Sequence, residues 1–65
     1  MNDELPTIFV SEYVAWEYKH VARDLANGKV PTEEELNSLG REGWELVGVV
    51  REQDTVHLYF KRPKS

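Results

Sequence analysis

The chain has no cysteine, which excludes disulfides and thiolate metal centres as sources of stability. It has no apolar run near the ~20 residues that span a bilayer. It lacks a basic stretch at its start: Asp3 and Glu4 stand where the n-region of a signal peptide would lie. The expectation is a soluble cytoplasmic protein that does not contact membranes. Positive charge is also in short supply, with 8 Lys and Arg against 12 Asp and Glu for a formal net charge of −4. That balance makes nucleic acid an unlikely partner, because phosphate contacts need an excess of cations. With 65 residues, the chain is one small domain that buries only about 60% of its unfolded surface. In the absence of disulfides, a second copy is the favoured source of extra burial.

Residues 1–6, "MNDELP", read as a flexible tail. The single domain then covers residues 7–63, with an apolar N-terminal arm over 7–13. "TIFVSEYVAWEYKHV", residues 7–21, is rich in β-branched and aromatic types and alternates through Trp16, Tyr18 and His20. Period two predicts a strand. Glu17 and Lys19 are expected to face water and Trp16 and Tyr18 to face inward, with Ile8, Val10 and Val14 sharing the inward parity. "RDLANGKVP", residues 23–31, contains Asn27-Gly28 and ends in proline, so it reads as a connector from which Leu25 and Val30 can tuck under the domain.

Thr32 followed by Glu35 has capping-box spacing, and Glu33, Glu34 and Glu35 place negative charge at the positive end of a helix dipole. In "LNSLGREGWELVGVV", Gly43 is placed as the left-handed residue that ends the helix, with Trp44 folding back on Leu39. Gly40 falls in the last helical turn, where close approach to the sheet would compensate its poor propensity. "WELVGVVR", residues 44–51, and "TVHLYFKR", residues 55–62, predict a hairpin. A three-residue loop at Glu52-Gln53-Asp54 pairs Val50 with Val56, Gly48 with Leu58 and Leu46 with Phe60, and so makes one face wholly apolar; Asp54 would then be left-handed. A two-residue turn at Gln53-Asp54 would instead set Leu46 against Lys61. On the first choice Trp16, Tyr18, Trp44, Leu46, Val50, Val56, Leu58 and Phe60 pack under the helix. Ala15, Glu17, Lys19, Val21, Glu45, Val47, Val49, Arg51, His57, Tyr59 and Lys61 lie opposite.

The expected architecture is α+β: a two-layer β-α-β-β domain with one helix on a three-stranded mixed sheet, order 1-3-2. The third strand is central because "VHLYF" is apolar nearly throughout. At "WEYKHV", "LNSLGREGWELVGV" and "YFKRP" the sequence resembles a family of short bacterial and phage proteins, the domain of unknown function 4177. The resemblance extends over roughly residues 14 to 63. It implies a small β-α-β-β domain and brings no activity and no functional residues.

Each candidate site has a plainer explanation. Gly40-Arg41-Glu42-Gly43 matches the G-x-x-G loop that clamps nucleic-acid backbone, but it ends a helix, where the dipole and Glu42 repel phosphate. His57 and Tyr59, flanked by Lys19, Lys61 and Arg62, could stack on single-stranded nucleic acid; net acidity favours an ordinary cross-strand pairing or a subunit contact. His20 and His57 are assigned to opposite sheet faces, so no metal site and no cofactor is expected. Ser11, Ser38 and Ser65 have no evident base partner, and no enzyme is expected. The leading reading is a non-enzymatic, homo-oligomeric interaction module that self-associates either through the open sheet face, with Val47, Val49, His57 and Tyr59, or through the arm, with Ile8, Phe9 and Val10 added to a neighbour's sheet edge. The alternative is a small-ligand or nucleotide binder using a groove between subunits.

Overall fold

The computed structural model describes residues 14–64; the predicted tail and the whole arm, and with them Ile8, Phe9 and Val10, lie outside the described residues. The element order is β1 (Trp16–Asp24), a 3-10 turn (Leu25–Asn27), α1 (Glu33–Arg41), β2 (Glu45–Glu52) and β3 (Thr55–Pro63). The expected β-α-β-β architecture and strand order 1-3-2 are both present. Because β3 is central and antiparallel to both neighbours, the sheet is antiparallel throughout and not mixed. β1 and β2 therefore point the same way on either side of β3.

The helix begins and ends where local chemistry requires. Thr32 is the N-cap, and its hydroxyl accepts from the Glu35 amide at 3.1 Å. The Glu35 carboxylate does not complete a capping box; it takes a hydrogen bond from Arg23 on β1 and so ties the helix to the sheet. At the other end Gly43 has φ +92°. The Trp44 amide donates to the Leu39 carbonyl at 3.0 Å and the Gly43 amide to the Gly40 carbonyl at 2.9 Å, the paired bonds of a Schellman cap. Gly40 owes nothing to close approach, since a Cβ there would meet no atom within 4 Å.

β1 starts later and ends later than expected, taking in Arg23 and Asp24 from the predicted connector. Asp24 then caps the 3-10 turn, its carboxylate accepting from the Ala26 amide and the Asn27 side chain. Leu25 is half-buried and donates its amide to the Asp54 carbonyl at 2.6 Å, whereas Val30 remains exposed.

Register corrects the expected faces. Directly opposed residues share a face, and β1 pairs Glu17 with Arg62, Lys19 with Phe60, Val21 with Leu58 and Arg23 with Val56. Arg23 bonds Glu35 and Arg62 bonds the Glu42 carbonyl at 2.6 Å, so this is the helix side. Glu17 and Lys19 therefore face the helix, while Trp16 and Tyr18 face away and stay 40% and 70% exposed. Long charged side chains line the helix side with their aliphatic stems and pair their heads at its margin: Arg62 bonds Glu17 at 2.6 Å and lies 4.2 Å over the Trp44 ring, with Lys19 at 5.4 Å from the same ring.

The hairpin also differs from expectation. Glu52 pairs with Thr55 across a two-residue Gln53-Asp54 turn, and Gln53, not Asp54, takes positive φ (55°). A bulge between Leu46 and Gly48 then inserts Val47, so Leu46 still meets Phe60 as expected. Beyond the bulge the parity reverses. Val49 and Arg51, expected on the far face, turn to the helix side opposite Leu58 and Val56, and Val50 turns away from the helix opposite His57. Among the described residues the buried core is Leu58 and Phe60, both on the central strand.

Candidate functional site

The sheet face away from the helix gathers ring and charged side chains from all three strands. β1 contributes Trp16, Tyr18 and His20, β3 contributes His57, Tyr59 and Lys61, and β2 contributes Val50 and Glu52. These residues converge because alternate residues of a strand share a face. His20 is directly opposite Tyr59, and His57 is opposite Ala22, one diagonal step away. The rings form a nearly parallel row. The centroids of His20 and Tyr59 are 4.9 Å apart with planes at 13°, and those of His20 and His57 are 5.1 Å apart with planes at 12°. At the end of the row Lys61 Nζ sits 4.1 Å over the Trp16 ring, a cation–π contact.

His20 Nε2 and His57 Nδ1 are 2.9 Å apart, a hydrogen bond. The expectation that the two histidines lie on opposite faces is thereby corrected: it followed from the reversed parity of β1. Glu52 Oε1 lies 3.5 Å from His57 Nε2. That carboxylate assigns the tautomers, since it favours a proton on His57 Nε2. His57 Nδ1 is then the acceptor and His20 Nε2 the donor.

Of the expected interface residues, Val47, Val49, His57 and Tyr59 lie among the described residues. His57 and Tyr59 are on the open face. Val47 is the bulged residue of the outer edge strand, and Val49 points to the helix side, where it is still 55% exposed. Leu46, Val47, Val49 and Val50 together make β2 an exposed aliphatic edge. Sequence reasoning missed Trp16, Tyr18, His20 and Val50 as members of the open face. For Val50 the signal was the two-residue turn, which sets it opposite His57 and which was weighed and set aside; for Trp16, Tyr18 and His20 on β1 the turn carries no information.

The nucleic-acid arrangement loses its cations in the folded chain. Lys19 and Arg62 are on the helix side against Trp44, leaving Lys61 beside His57 and Tyr59 with Glu45 and Glu52 on the same face. The G-x-x-G segment is the helix terminus itself. Among the described residues no cavity opens, no cluster of three or more His, Asp or Glu side chains gathers, and no helix is long and apolar enough to cross a membrane. Ser38 lies exposed on α1, and Ser11 and Ser65 lie outside the described residues.

The model of the family described as Domain of unknown function (DUF4177) matches residues 16–65. The chain belongs to that family. The DUF4177 match begins at the first residue of β1 and takes in every element described above. No curated protein and no solved structure matches the chain.

Proposed function

We propose that the chain is a non-enzymatic interaction module that self-associates, with the β2 edge and the adjoining open sheet face as the contact surface. The observation that carries this reading is the exposed aliphatic run of β2: Leu46, Val47, Val49 and Val50 are each 43–55% exposed on a strand with no neighbour on its outer side among the described residues. Charges stand only at the ends of that strand, at Glu45, Arg51 and Glu52. Edge strands are usually blunted by Lys, Pro or inward charges, and an apolar edge pairs with another chain. The bulge at Val47 twists this edge without covering it.

Magnitudes decide how much surface is needed. Burying the exposed half of an aliphatic side chain stabilises by about 1 kcal/mol, so β2 supplies about 4 kcal/mol per copy. Association costs about 4–15 kcal/mol in lost freedom. Two β2 edges offset only the low end of that range, so the contact extends onto Trp16, Tyr18 and Tyr59 of the open face. Aromatic side chains of this kind are enriched at interfaces. Sedimentation equilibrium tests the reading. The wild-type chain should sediment at twice its 7.6 kDa mass or more, and the Val49→Lys/Val50→Lys double variant should fall back toward the single-chain mass with unchanged circular dichroism. A wild-type chain that stays at the single-chain mass up to several hundred micromolar would refute the proposal.

A further inference from the structure

We infer that His20 and His57 form a two-nitrogen site for a divalent late transition-metal ion on the open sheet face. The site does not require self-association, because both ligands come from one chain. His20 Nε2 and His57 Nδ1 already stand 2.9 Å apart. Two imidazole nitrogens bound at ~2.0–2.1 Å to one ion, at the angles of octahedral or tetrahedral geometry, are separated by roughly 2.9–3.4 Å. The backbone therefore holds the donors at chelating distance, and accommodating the ion takes at most about half an ångström of opening with a turn of each ring about χ2. That turn takes the His20 ring out of its parallel stack with Tyr59, whose centroid is 4.9 Å away. The ladder beneath them is continuous, with His20 opposite Tyr59 and Ala22 opposite His57.

The donor chemistry is consistent with this class of ion. Imidazole nitrogen suits nickel, copper and zinc and does not suit magnesium or calcium, which take oxygen ligands. Metal-bound histidines commonly donate the other ring N–H to a carboxylate, and Glu52 Oε1 lies 3.5 Å from His57 Nε2, the nitrogen that would not ligate. Proton count is unchanged on binding. His57 keeps its proton on Nε2, and His20 moves its proton from Nε2 to Nδ1, freeing the Nε2 lone pair for the ion. No third protein ligand is gathered there among the described residues, so water completes the coordination.

The test is a titration of the full chain with zinc chloride, with magnesium chloride as the control, followed through the histidine ring nitrogens by long-range proton–nitrogen correlation. Saturable shifts at His20 Nε2 and His57 Nδ1, reversed by EDTA and absent with magnesium, are expected. His20→Gln and His57→Gln should each weaken zinc binding by about tenfold or more, at least the loss that removing an outer partner causes. Zinc that fails to saturate those nitrogens below 1 mM would overturn the inference, and so would a His20→Gln variant that binds as the wild type does. Where a glutamine variant does not fold, the ring-nitrogen shifts of the wild-type chain decide alone. Repeating the titration on Val49→Lys/Val50→Lys separates this inference from self-association, because zinc binding should persist in a variant that no longer associates.

Discussion

Gly43→Ala and Gly40→Ala should change stability in opposite directions, although the two glycines are three residues apart. Gly43 has φ +92°, and an L-residue with left-handed backbone costs about 1–2 kcal/mol. No steric clash adds to this, because a Cβ at Gly43 would meet Arg62 Cδ at 3.7 Å, an ordinary contact. A smaller gain of about 0.4–1 kcal/mol from the stiffer unfolded chain works against the cost. The net expectation is a loss of about 1 kcal/mol. Gly40 lies within α1, and a Cβ there meets nothing within 4 Å, so alanine gains its full helix propensity, about 0.8–1 kcal/mol. Urea titration followed by tryptophan fluorescence, at one protein concentration so that association cancels, should separate the two variants by about 2 kcal/mol. Equal stabilities, or a more stable Gly43→Ala, would refute the assignment of Gly43 as the residue that ends the helix.

Other perturbations follow from the same packing. Phe60→Ala removes the most buried side chain of the described residues, at 2% exposure, and should cost about 3–5 kcal/mol; in so small a core, circular dichroism at 37 °C should report a largely unfolded chain. Arg23→Ala, Glu35→Ala and the double variant form a cycle across the bond that ties α1 to β1. With both side chains about one-third exposed, the coupling free energy from thermal melts should be about 1 kcal/mol or less. Replacing Arg62 with Ala removes its bonds to Glu17 and to the Glu42 carbonyl as well as its cover over Trp44. Trp44 emission should then shift to the red, and an unchanged spectrum would argue against that packing.

What could be read from the chain alone was governed by local chemistry. Thr32, Gly43, Trp44 and Leu39 specify the two ends of α1 through hydrogen bonds within a few residues of one another, so spacing suffices. The central place of β3 was legible because "VHLYF" offers apolar side chains to both faces. The parity of β1 was not legible. Trp16, Tyr18 and His20 alternate with Glu17, Lys19 and Val21, and each set contains residues that can cover a helix, the second by means of its aliphatic stems. The face is chosen by β3, through the pairs Glu17–Arg62 and Arg23–Val56, which no local pattern encodes. The bulge at Val47 escaped for a related reason: in "LVGVV" both parities are apolar, so reversing them midway leaves no trace in the hydropathy pattern. The proximity of His20 and His57 depends on that same parity and was lost with it.

The ring row on the sheet face away from α1 is the feature on which both proposals depend. Nuclear Overhauser contacts between ring protons test this directly. The account predicts His20–His57 and His20–Tyr59 contacts, with none from Trp16 or Tyr18 to Leu36 or Leu39. Strong contacts from Trp16 or Tyr18 to those leucines, with His20 and His57 showing none between them, would contradict it.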